Sequence, residues 1–472
     1  MKKFKNRKTV ISLAVIFFSS LVTFTLFTNC GKLNSASGTV DEGQVDSSSL
    51  DQGKKKNPPV LPPAPVPEPV PLPAPAPVSP PVLSPPPLPV PSPTPVPTPT
   101  PAPTPGPTPP TPPVATSYPK VGDFAKIPSN FDINTWLEAR ALPGPTGDGP
   151  NGAFRFICKP SKNLYDDPIV FPGQAGVSHL HTFFGNTLVD ANSTYQSLRT
   201  TGESTCTGGP INRSAYWIPS MMNGATGKVV MPDYIVVYYK NMPDIPLQIQ
   251  PYKEPVKPLP PGLRMVFGYS PKKAWDAYSG YYWNCDMPGQ NIGAHDPTIT
   301  ARIARGCPVG SKLGAIVAAL PCWDGVNLDS PDHRSHMSAS AQDGNGHDIC
   351  PSTHPYRIPH FQIGAWYSHN GEADLKNWYL SSDRMPGMPV LEPGTSLHSD
   401  WFGAWDDTIL DRWRKGCFDG LKSCNDGNLA DGFGLKWVPG FSWTSVPREV
   451  DPPARPTSAF TFSSSGQLIC NP

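Results

Sequence analysis

Residues 58–113 alternate proline with Val, Ala, Thr, Leu and Ser, as in PAPVPEPVPLPAPAP and PTPVPTPTPAPTPGPTPPTPP. Each proline removes a backbone donor and restricts the residue before it, which excludes helix and central strand from the whole block. The tract is expected to adopt polyproline II and to act as a semi-rigid stalk on the order of 150 Å long. Proline makes up 66 of 472 residues, and most of the excess falls here, so the rest of the chain reads as ordinary globular sequence. All 12 Trp lie after position 130, so the aromatic material for a core belongs to the C-terminal two-thirds.

The chain begins MKKFKNRK, a basic stretch, followed by an uncharged, mostly apolar run over residues 9–28 and then Asn29-Cys30-Gly31. That order reads as an export signal ending at a lipidated cysteine, Cys30. Asn29 stands where such signals usually carry a small residue. The alternative is an uncleaved signal anchor, since the run is long enough to span a bilayer. Either reading places the protein outside the cytoplasm and tethers it to a membrane. Residues 1–30 are therefore expected to be the signal, 31–116 a disordered region and stalk, and 117–472 the globular part. The net charge of +1 argues against a nucleic-acid partner.

Within residues 117–472 the strand signals are short and β-branched or aromatic: Phe154-Arg155-Phe156-Ile157, Tyr234-Ile235-Val236-Val237-Tyr238-Tyr239, Arg264-Met265-Val266-Phe267 and Ala315-Ile316-Val317-Ala318. Helical patterns are few, the best being residues 133–141, led by Asn130 or Asp132, and residues 407–415. The expected class is mostly β, with α+β as the variant: an antiparallel sandwich or jelly-roll with long loops. Nine cysteines follow Cys30, none in a C-x-x-C pair, so disulfides are the expected state of an exported domain and one thiol is left over. Cys417 and Cys424 are close enough to close a small loop.

The stretch DDPIVFPGQAGVSHLHTFFGN, residues 166–186, is the densest in chemistry. If residues 179–183 form a strand, its period of two puts His179 and His181 on one face, with Leu180 and Thr182 on the other. Two neutral imidazoles on one face can share a metal or line a groove. The other histidines group in DSPDHRSHM, CPSTHP, IPH and LHSD. Histidine and carboxylate are the usual ligands of zinc and other borderline divalent ions outside the cell. The candidate ligands of one such ion are His179, His181, His336, His398 and Asp400, with Asp324 and Asp400 as candidate catalytic carboxylates. Asp324, between Trp323 and Gly325, also suits turn capping. His295, His347 and His369 read as loop hydrogen-bonding groups. Dense aromatic clusters (Tyr281-Tyr282-Trp283, Trp366-Tyr367, Trp378-Tyr379, and Trp401-Phe402 with Trp405) serve mostly as core, or expose a platform on which sugar rings stack.

These blocks in order (DPIVFPGQAGVSHLHTFFGN, STC with NRSAYWIPSM, PCWDGVNLDSPDHRSHM, CPSTHP with IPHFQ, and LHSDWFGAWD followed by Cys417) resemble the DUF1996 family. That family comprises secreted bacterial and fungal proteins known only as a domain of unknown function. The resemblance runs from about Phe154 to Cys424. It implies an extracellular role and, because some members sit beside carbohydrate-binding modules, a wall or polysaccharide context; it supplies no reaction. The chain departs from many fungal relatives after Cys206, where Thr207-Gly208-Gly209 follows with no second cysteine nearby. The expectation is thus a tethered domain that binds or acts on polysaccharide through a histidine-lined groove. A non-catalytic glycan-binding module and an extracellular metal-binding protein are the alternatives.

Overall fold

Two antiparallel sheets packed face to face organise the C-terminal domain. The computed structural model describes residues 117–145, 152–241, 256–275, 280–287, 290–291, 295–342, 348–456, 460–462 and 468–470. The expected export signal, Cys30, the proline tract and His347 lie outside the described residues. The larger sheet has seven strands in the order Gln290–Asn291, Tyr281–Met287, Lys312–Ala318, His360–Ser368, Tyr234–Asn241, Gly152–Cys158 and Ser423–Cys424. Its last pair is parallel and the others antiparallel. The smaller sheet has five strands in the order Pro160–Leu164, His181–Gly185, Ala215–Pro219, His398–Phe402 and Arg264–Gly268, all antiparallel.

Strand alternation explains how the layers meet. Phe154 and Phe156, Val237 and Tyr239, and Phe361 and Ile363 point inward from the larger sheet, while Phe184, Tyr216, Met265, Phe267 and Trp401 point inward from the smaller one. Phe361 touches rings of both layers, 5.1 Å from Tyr239 and 5.3 Å from Trp401, centroid to centroid. This confirms a mostly β, antiparallel sandwich. The aromatic clusters resolve largely as core: Trp283, Trp378 and Trp401 are fully buried.

All four strand signals read from the sequence fall inside strands. The helix at 407–415 is present as Asp407–Trp413, capped by Asp406 accepting from the Thr408 and Ile409 amides. The helix expected over 133–141 is a correction. Asp132 caps only a 3-10 turn, Ile133–Trp136, and the chain then becomes the strand Leu137–Ala139, paired with Phe433–Leu435. Cross-chain pairing outcompetes the local helical pattern there. Among the described residues four disulfides form, Cys158–Cys206, Cys285–Cys307, Cys322–Cys350 and Cys417–Cys424, the last as its spacing suggested. Cys206 finds its partner on the adjacent strand end, not in its own loop. Among the described residues no helix is long and apolar enough to cross a membrane.

Candidate functional site

The outer face of the smaller sheet, turned away from the sandwich interior, carries the polar cluster. The strand containing His181 starts at that residue (His181–Gly185), so His179 enters from the preceding loop rather than from the strand expected over 179–183. Register then assembles the face. His181 and Phe183 lie on the same side; Phe183 pairs with Trp217, Trp217 with Asp400, and Asp400 with Val266, so these side chains share the outer face with His398 and Phe402. Beside them Ile169, Val189, Tyr195 and Leu198 form a small apolar cover over Phe183, Trp217 and Phe402.

The three imidazoles of His179, His181 and His398 converge. Ring centroids are 4.2 Å apart for His179 and His181, 5.2 Å for His179 and His398, and 6.1 Å for His181 and His398. One ring nitrogen of each lies within 4.8 Å of the others. Asp167, His181 and Asp400 form a second triple within the same limit, and His181 is common to both. His181 is fully buried, whereas His179 and His398 are partly exposed, so the cluster has a closed inner side and an open outer side.

Hydrogen bonds settle which nitrogens face the centre. His181 Nδ1 donates to the Asp166 carbonyl at 2.9 Å, and His398 Nδ1 donates to the Ser396 carbonyl at 2.8 Å. A carbonyl only accepts, so each ring carries its proton on Nδ1 and leaves a lone pair on Nε2. Further links hold the carbonyls themselves. Asp166 accepts the Gly176 and Ala191 amides through its two carboxylate oxygens. Asp383 accepts the Gly394 and Ser396 amides, 2.6 and 2.9 Å away, beside His398.

Four buried atoms of the cluster have no hydrogen-bond partner: Nε2 of His179, Nε2 of His181 and both carboxylate oxygens of Asp400. Such groups are rare in native structures because each forfeits its interaction with water. Burial keeps the histidines neutral: His181 is lowered to about 3 and His179 well below its ordinary value, with repulsion from neighbouring histidines adding to both, and His398 is lowered to about 4, with Arg334 adding to burial. Burial also raises the carboxyls, Asp167 to about 6 and Asp400 well above the usual range, with Asp167 adding to the effect on Asp400. Backbone amides of Val170 and Ile169 restrain Asp167, and Arg334 restrains Asp400.

The donor set suits one divalent transition metal. Imidazole nitrogen and carboxylate oxygen match zinc and its neighbours. Metal-bound histidines typically give their second nitrogen to a carbonyl or carboxylate, as His181 and His398 do. Donor spacings under 4.8 Å are close enough for modest side-chain rotation to close on an ion. The remaining histidine–cysteine triple, Cys285, Cys307 and His369, does not fit, because its two sulfurs are joined as a disulfide.

Of the candidate residues, His179, His181, His398 and Asp400 come together. His336 does not. It is buried with both nitrogens engaged, Nε2 donating to the Arg264 carbonyl at 2.8 Å and Nδ1 accepting from Ser330 Oγ at 2.9 Å. Asp324 caps a turn, accepting the Val326 and Asn327 amides, and lies outside the cluster. Asp324's neighbours Trp323 and Gly325, with Lys257, Tyr356 and Asp407, line a separate cleft of about 860 Å³ that shares no lining residue with the histidines. Asp167 was missed, although it stands in the adjacent pair Asp166-Asp167 that opens the histidine-bearing stretch.

Fold and site together define an antiparallel β-sandwich bearing a buried histidine–carboxylate cluster on the outer face of its smaller sheet. The chain belongs to the family described as "Domain of unknown function (DUF1996)", whose model matches residues 167–405. That span contains all five members of the cluster, from Asp167 to Asp400. No curated protein matches the chain. No solved structure matches it either.

Proposed function

We propose that this protein is an exported, membrane-tethered metalloprotein that holds one zinc-class divalent ion at His179, His181, His398 and Asp400 and acts on envelope or environmental polysaccharide. The observation that carries the metal reading is the convergence of unpartnered buried atoms, Nε2 of His179 and His181 and both oxygens of Asp400, on the open Nε2 of His398. A cation held by the three imidazoles would satisfy the two histidine nitrogens, and Asp400, whose Oδ2 lies 3.9 Å from His398 Nε2 and which shares a second triple with His181, is the nearest carboxyl to join them. When bound, such an ion supplies Lewis-acid activation of water, the natural route to hydrolysis.

The chain's own residues would do the rest. His181 and Asp400 form the buried floor and fix orientation; His179 and His398, on the open side, leave a face for a ligand. Asp167 provides a second carboxylate next to His181 and Asp400, braced through the Ile169 and Val170 amides at 2.9 Å. Support for an extracellular setting comes from the export signal and proline stalk read in the sequence, and for a polysaccharide context from the resemblance to a family some of whose members sit beside carbohydrate-binding modules. A glycan binder built on the aromatic clusters alone is disfavoured, because Trp283, Trp378 and Trp401 are in the core.

Elemental analysis of the full-length chain, purified without chelator, tests the reading. About one equivalent of a transition metal, lost in His179→Ala/His181→Ala, supports it; a metal-free folded chain overturns it. Metal retained without hydrolysis of any wall polymer would replace hydrolysis by metal capture.

A further inference from the structure

Arg455 lies outside the residues 167–405 that define the family, yet it reaches the loop that delivers His179. Its guanidinium donates to the Gly176 carbonyl from one terminal nitrogen and to the Ser178 carbonyl from the other, both at 3.0 Å. Its Cζ lies over the Tyr165 ring, 4.3 Å from the centroid. Pro456, the next residue, packs so tightly on Gly176 that a Cβ there would fall 3.0 Å from the proline ring. The segment carrying Arg455 is itself anchored upstream. Glu449–Val450 pairs with Val229–Val230, and Glu449 accepts from Asn223 Nδ2 at 2.8 Å and Thr226 Oγ1 at 3.0 Å.

We infer that Arg455 is a positioning residue for the metal centre: a latch that fixes the backbone of residues 176–178 and so holds His179 against His181 and His398. The inference rests on the metal-site reading above. His179 stands outside the strand and makes no ladder hydrogen bond itself; the amides of Gly176 and Ser178 are held by Asp166 and the Tyr165 carbonyl, and Arg455 is the group that holds the carbonyls of the same two residues. His181 and His398 lie on strands and also have ring contacts to backbone carbonyls. A planar fork reaching two carbonyls in one loop matches the geometry that distinguishes arginine from lysine. Because the latch is cationic, its electrostatic effect on a bound cation is unfavourable. A net gain in metal retention from Arg455 therefore reports positioning and not charge.

The test uses the full-length chain loaded with zinc, then with cobalt. Arg455→Ala should release zinc to a competing chelator roughly 10- to 100-fold faster than the unsubstituted chain, the range seen when groups supporting metal ligands are removed. Its cobalt visible spectrum should move towards that of His179→Ala. Arg455→Lys should recover only part of the retention. Arg448→Ala is the control; Arg448 pairs with Asp374 at 3.2 Å on the same segment, and this substitution should leave release unchanged. Equal release from Arg455→Ala and the unsubstituted chain overturns the latch, as does an equal effect of Arg448→Ala. If the unsubstituted chain takes up neither metal, the site reading itself fails, an outcome separate from either of these.

Discussion

Asp400 lies directly across the strand pair from Trp217, and both oxygens of its carboxyl are buried without a hydrogen-bond partner, whereas the indole of Trp217 serves Asp167. An unpartnered buried carboxyl at the base of the histidine cluster means that the metal-free fold carries an unfavourable load at this position. Leaving a buried polar group unpartnered costs about 1–3 kcal/mol.

Asp400→Leu should therefore stabilise the metal-free chain by about 1–3 kcal/mol, measured by urea unfolding in the presence of chelator. The same substitution should abolish metal uptake. A destabilised apo variant would show that Asp400 has a structural partner.

Gly268 ends the strand that pairs with His398, and it adopts φ of +93°. A Cβ there would fall 2.8 Å from the Leu397 carbonyl oxygen and 3.0 Å from His398 Cα. Gly268→Ala is expected to cost about 1–3 kcal/mol through the left-handed backbone. It should also weaken metal binding by displacing His398, which an isothermal titration with zinc would detect. An unchanged titration would show that the strand end yields without moving the ligand.

Burial, with Lys240 adding to it, lowers His360 to about 3, and its Nδ1 has no partner. The folded state keeps this ring neutral while the unfolded chain protonates it near 6.5, so unfolding takes up a proton between about 3 and 6.5. Stability from this group is full above that window and declines as pH falls through it. Going from pH 7.5 to 5 should cost the protein about 2 kcal/mol more than His360→Gln. Parallel slopes for the two would remove His360 from the acid response.

Cys158–Cys206 spans 48 residues of sequence and Cys417–Cys424 spans 7. Constraint of the unfolded chain scales with loop length, so removing the first pair should destabilise by about 4 kcal/mol and the second by about 2. Thermal unfolding of the two double-alanine variants checks the order. The reverse order would point to packing rather than chain entropy as the main contribution.

The four strands that sit in the sandwich were legible because Val, Ile, Phe and Tyr cluster in short runs between turns. The turn after Asp132 looks like a helix start because INTW follows a good cap, and nothing local announces the pairing of Leu137 with Leu435. His398 and Asp400 were recoverable as candidates from the LHSDW block, but their approach to His181 depends on a sheet order that skips through Ala215–Pro219. His336 looked equivalent because it too lies among aspartates and histidines. What separates it is the Arg264 carbonyl, 72 residues away, and such a partner leaves no trace in local sequence. Asp167 differs for the opposite reason: adjacent acidic residues in a loop look like solvated surface, and only the fold shows both Asp166 and Asp167 buried, the latter accepting the Ile169 and Val170 amides.

In the His398–Phe402 strand, Asp400 faces outward and Trp401 inward against Phe361. A slip of one residue during folding would exchange the two, placing an indole among the histidines and a carboxylate in the hydrocarbon interior. The alternation thus ties the cluster to the core: a chain that misplaces the Asp400 carboxyl also fails to bury the Trp401 indole, and loses stability with it.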